Sequence, residues 1–129
     1  MKRSYYIAGF CLGLLGVVLG AFAAHGLKPN LSPQAMETFE TGVRFQIYHA
    51  FLILILANMD SLQNRNARII LYVILTGVFL FSGSIYLLAT NSITAPDFSI
   101  LGPVTPLGGS LLIFCWGFLI FHSIKLKIK

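Results

Sequence analysis

Charge is what this sequence has least of. Only 10% of its 129 residues are Asp, Glu, Lys or Arg, against about 25% in ordinary soluble domains, and just four are acidic. With 57% of the residues hydrophobic, there is too little polar side chain to cover a core in water. Cysteine is nearly missing. Cys11 and Cys115 both fall inside apolar runs, which excludes a disulfide framework and leaves them as small packing residues. There is no HExxH, no paired-cysteine motif, no glycine-rich phosphate loop, no nucleophile elbow and no carboxylate pair. Without these the chain is read as a non-enzyme that needs no cofactor and no metal; zinc, for example, requires three or four protein ligands at close range.

What the sequence has in abundance is long apolar runs. Four of them, at about 5–24, 40–59, 69–88 and 107–124, each approach the roughly 20 residues that cross a hydrocarbon core as helix. The expectation is an all-α membrane protein, a four-transmembrane-helix bundle forming a single integral membrane domain over 1–129. The net charge of +5 follows topology and gives no reason to expect nucleic acid. Lys2 and Arg3 precede the first run, Arg65 and Arg68 separate the second and third, and Lys125, Lys127 and Lys129 follow the fourth. By the positive-inside rule both termini are then cytoplasmic, and the lipid bilayer, anionic lipid included, is the first partner. "MKR", an apolar run and "AFAA" have the outline of a secretory signal, but the run is longer than a signal's apolar region, so it is read as a retained span.

Local signals add detail. Gly9, Gly13, Gly16 and Gly20 are spaced four, three and four apart, which keeps them on one helix face and makes that face a helix contact, within the bundle or between protomers. Gly26 suits a left-handed helix end, and Ser32 followed by Pro33 suits a helix start. The third connection, "NSITAPDFSILGPVTPLGG", reads as an irregular outer loop that dips back through Phe98, Ile100 and Leu101, with "GPVTP" outside any helix interior.

The polar residues are not scattered. Counting outward from the cytoplasmic ends puts His25, Arg44, Gln46, Tyr48, His49, Ser82, Ser84, Tyr86 and Thr105 in the outer half of the bundle. In the second span Glu37, Glu40, Thr41, Arg44 and Tyr48 share one face, and Gly42, Gln46 and His49 an adjoining one. Glu40 and Arg44 are in the favourable order for an i,i+4 ion pair. Two uses are open for this cluster. It is interhelical glue that sets register, or it binds a proton, an ion or a small ligand such as a quinone or a lipid headgroup. Glue is the expectation.

Four segments, "GAFAAHGL", "FETGVRFQIYHA", "SGSIYLL" and "GPVTPLGG", resemble in order the domain-of-unknown-function-423 family of YgdD-like small inner-membrane proteins. The motif residues correspond to His25, Thr41, Gly42, Arg44, Gln46, Tyr48, His49, Ser82, Ser84, Tyr86, Pro103, Thr105 and Pro106, with Ala23 standing where the family has glycine. The resemblance implies a four-span protein of the bacterial cytoplasmic (inner) membrane and no particular activity. The function expected is that of an accessory subunit or homo-oligomer, with another membrane protein or itself as partner. Transport or ligand binding around His49 and Arg44 is the alternative.

Overall fold

A computed structural model describes residues 1–94 and 96–127; Ala95 of the outer loop and Lys129 of the basic tail lie outside the described residues. Every regular element among them is helical. Helix α1 (Lys2–Phe22) runs into a π-helical turn, Ala23–Leu27; α2 is Pro33–Ala57. Helix α3 (Asn66–Val78) passes through a second π-turn, Phe79–Gly83, into α4 (Ser84–Ala89), and α5 is Val104–Lys125. Taken through their π-turns these give four helices long and apolar enough to cross a membrane: Lys2–Leu27, Pro33–Ala57, Asn66–Ala89 and Ser99–Lys125.

The start of α2 follows its cap: Ser32 Oγ accepts from the Ala35 N–H at 3.1 Å and Pro33 takes the first position, where its missing N–H costs nothing. The preceding helix does not end as expected. Gly26 is not left-handed, and no described glycine is. The π-turn instead closes through Lys28 N–H to Ala23 O at 3.0 Å, and the chain turns on Leu27 O, which accepts from Asn30 and Leu31. Gly26 lies close under the exposed Phe22 ring, whose Cε2 a Cβ there would meet at 2.7 Å. "GPVTP" also differs from expectation. Helix α5 begins at Val104 behind Pro103 and holds Pro106 in its first turn, where the backbone N–H has no helical partner to lose. In the loop before it, Asn91 Oδ1 and Asp97 Oδ1 accept from the N–H groups of Phe98 and Ser99. The Ser99 N–H holds the Asp97 carboxyl below its ordinary pKa. Phe98 and Leu101 are half-buried, while Ile100 points outward.

Helix α2 is the centre of the bundle. It carries α1 on one side and α3 with α4 on the other, and α5 packs on α3 and its π-turn. The end holding Lys2, Arg65 and Lys125 is called the basic end below. An apolar cluster fills that half, with Tyr5, Ile53, Leu56, Leu62, Ile74 and Cys115 buried in it. There the Tyr5 hydroxyl donates to Ala67 O, and Lys2 pairs with Asp60 at 3.2 Å. A second cluster of Ala23, Leu27, Leu31, Phe39, Val43 and Ala89 closes the opposite end.

The glycine stripe is used inside the bundle, against α2. A Cβ on Gly9 would stand 2.6 Å from Leu54 Cδ2, and one on Gly16 would stand 2.7 Å from Ile47 Cγ1. Gly20 has ordinary clearance from Val43, and Gly13 meets nothing within 4 Å. Gly13→Ala is therefore expected to raise the unfolding midpoint in detergent, by up to about 1 kcal/mol from helix propensity alone. Gly16→Ala should lower it. Equal effects of the two would mean that the stripe packs as a uniform surface.

Candidate functional site

The polar cluster assembles in part, as a layer between the two apolar clusters and not as a lining of one whole half. Gln46, His49, Ser82 and Ser84 are the buried polar side chains among the described residues. Their burial follows from the phase of α2. The face holding Gly42, Gln46 and His49 turns inward, whereas Glu37, Glu40, Arg44 and Tyr48 on the adjoining face point outward. Arg44 Nη2 stands 3.4 Å from Glu40 Oε2, both half-exposed, so the acid-first pair forms on the surface. Tyr48 sits edge-on to Phe45, and His25 lies exposed in the first π-turn. The structure thus divides the candidate residues: Gln46, His49, Ser82, Ser84, Tyr86 and Thr105 come together, and His25, Arg44 and Tyr48 stay outside.

Each member of the layer ties α2 or α4 to another element. Gln46 Nε2 donates to Leu12 O of α1 at 2.9 Å, and its Oε1 accepts from the Tyr86 hydroxyl of α4 at 2.7 Å. The Tyr86 ring lies against Phe39, 4.8 Å between centroids. Ser82 Oγ, in the second π-turn, donates to Gly42 O at 2.7 Å. Gly42 must be bare for this approach, since a Cβ would stand 2.8 Å from the Tyr86 ring. Ser84 Oγ and Thr105 Oγ1 share a hydrogen bond between α4 and the first turn of α5. Two residues apart on a helix, Ser82 and Ser84 face nearly opposite sides, so one meets α2 and the other α5.

His49 is fully engaged. Its Nδ1 lies 2.7 Å from Phe45 O, and Trp116 Nε1–H of α5 donates to its Nε2 at 3.1 Å. An indole N–H can only donate, so Nε2 carries the lone pair and Nδ1 the proton: the ring is neutral with both nitrogens satisfied. Sequence reasoning passed over Trp116. The signal was there, because the chain's one tryptophan sits well inside an apolar helix where its N–H requires an acceptor. His49→Phe should therefore shift Trp116 emission to shorter wavelength and cost about 1 kcal/mol. Since there is one tryptophan, the emission is unmixed. Unchanged emission would dissolve the proposed pair.

Among the described residues no three His, Cys, Asp or Glu side chains gather as a metal set. The one buried side-chain N or O there without a partner is Gln63 Oε1, in the α2–α3 connection near the basic end. Chemically, the layer is a set of neutral side chains hydrogen-bonded from one helix to another. It presents no free nucleophile, acid or ligand.

The family model described as "Protein of unknown function (DUF423)" matches residues 19–109. The chain is 35% identical over 127 residues to a UPF0382 membrane protein of Haemophilus influenzae, covering 98% of each. It is 36% identical to UPF0382 membrane protein SH2409 of Staphylococcus haemolyticus, over 95% of this chain and 97% of that one. With UPF0382 membrane protein YwdK of Bacillus subtilis the identity is 35%, over 95% and 98%. No solved structure matches.

Proposed function

The chain belongs to the DUF423 family and, like its bacterial relatives, is a multi-pass membrane protein; from that premise we propose that it works by association, as a small accessory subunit or a homo-oligomer, and not as an enzyme. The observation that carries this reading is the position of α1. It packs chiefly on α2, so Ile7, Phe10, Leu14, Val17 and Val18 all face outward. Between Gly13 and the Ile47–Leu54 stretch of α2 lies a groove of about 280 Å³. Without a hydrophobic drive between helices in lipid, an open notch over glycine is where another helix gains close packing. The bundle's own polar groups, by contrast, are engaged with one another.

In this reading the basic end lies in the cytoplasm, as the positive-inside distribution of Lys2, Arg3, Arg65, Arg68 and Lys125 requires. The test is mass measurement and cross-linking in mild detergent on the full chain. The expected result is a defined oligomer or a co-purifying membrane partner, lost in Gly13→Leu while helicity and unfolding midpoint persist. A lone monomer for the parent chain would overturn the proposal.

A further inference from the structure

At the basic end, away from the polar layer, α3 and α5 part to leave a groove of about 320 Å³. Its walls are Ile69, Ile70 and Val73 from α3 and Phe114, Cys115 and Phe118 from α5, and Asn66, the first residue of α3, stands at its mouth. From Asn66 to Val73 the wall extends about 10 Å along the helix axis. It is therefore a slot that begins at the membrane surface and descends into the apolar region. Cys115 forms its floor and is buried.

The rim of this slot is cationic. Arg65 immediately precedes Asn66 and is exposed, whereas Arg68, also exposed, lies by helical phase on the side of α3 turned away from this wall. On α5 the turn beyond Phe118 brings His122, stacked on the Phe118 ring at 6.2 Å with Nε2 3.2 Å from Ser61 Oγ. Lys125 comes next, its Nζ 4.3 Å from the Phe121 ring centroid. Among the described residues no side-chain carboxylate is paired with these charges. Of the four acidic residues, Glu37, Glu40 and Asp97 belong to the opposite end, and Asp60 is held by Lys2 at 3.2 Å.

We propose that the α3–α5 groove is a binding site for an anionic phospholipid, with one acyl chain lying between Ile70 and Phe118 and the headgroup phosphate on Arg65 and Lys125. Charge complementarity selects this occupant. A zwitterionic lipid could fill the same slot, but its cationic headgroup group would meet the rim cations. The partner helix of a second copy would fill it without meeting them. Arginine offers the phosphate two parallel donors, and the apolar slot makes binding depend on the tail as well as the charge.

The test uses the full chain in mild detergent, with phosphatidylglycerol and phosphatidylcholine of identical chains and glycerol phosphate alone as probes. Retention is read by native mass measurement and stabilisation by thermal unfolding. One phosphatidylglycerol should be retained per chain, about tenfold more tightly than phosphatidylcholine, with no shift from glycerol phosphate. The double variant R65Q/K125Q should lose the preference while still holding either lipid weakly. Ile69→Trp should lose retention of both with the rim intact, and because Ile69 is 61% exposed that variant has room to fold. Equal retention of the two lipids, a shift with glycerol phosphate alone, selectivity surviving in the double variant, retention surviving in Ile69→Trp, or a second copy occupying this face would each overturn the proposal.

Discussion

Gly108→Ala is expected to leave little folded protein, while Gly109→Ala, one residue on, folds close to normally. A Cβ on Gly108 would press into the backbone of Phe81 and stand 2.8 Å from both Gly77 O and Leu80 C. All three obstacles are backbone, so no rotamer change can relieve them, and α5 must move off α3 and its π-turn. Overpacking commonly costs about 1–3 kcal/mol, and against a rigid backbone the upper part of that range applies. A Cβ on Gly109 would lie 3.4 Å from the Phe81 ring, which can turn aside. Gly77→Ala is intermediate, because its nearest obstacle is the end of the Leu112 side chain at 2.7 Å. Yield of monodisperse protein and the unfolding midpoint in detergent should rank Gly109, Gly77, Gly108. A tolerated Gly108→Ala would mean that the crossing is looser than described.

The second large effect is expected from Gln46→Leu, at about 2 kcal/mol. Interhelical hydrogen bonds in membranes average about 0.6 kcal/mol and reach about 1.7, and this substitution removes two of them while stranding a polar group. Of the two partners, Leu12 O retains its own helical amide, so its loss is small. The Tyr86 hydroxyl has Gln46 Oε1 as its acceptor and is left facing Leu. Tyr86→Phe in the Gln46→Leu background should then recover part of the loss, whereas Tyr86→Phe alone should destabilise by stranding Gln46 Oε1. A double-mutant cycle in reversible unfolding gives the coupling directly. Strict additivity would show that the two side chains do not share a bond.

The four spans were legible because an apolar run of membrane length leaves backbone few options other than helix. The start of α2 was legible because Ser32 and Pro33 each satisfy a specific local need. The Glu40–Arg44 pair followed from spacing. Other features were not readable from local pattern. Two polar faces adjoin on α2, and only packing decides that the one with Gly42 turns inward, since Gly42 is where α4 approaches. His49 was marked, but its partner Trp116 lies 67 residues away, beyond the reach of any local pattern. Gly26 and Pro106 were misread for one reason: both were judged as isolated helix breakers, although a π-turn and a first helical turn respectively accommodate them. The π-turns have no compositional mark in "AAHGL" or "FLFSG" and arise from how the helices fit.

The turn at Phe79–Gly83 sets the helical phase of one half of the third span against the other. Regular α-helix through the same five residues would leave the span's composition unaltered and its length still sufficient to cross the bilayer. Everything beyond would be rotated by about 100°. Ser84 would swing from Thr105 and Tyr86 from Gln46, while α3 below kept its contacts. One residue in that turn thus acts as a phase adjuster, letting a single helix meet α5 with one half and α2 with the other.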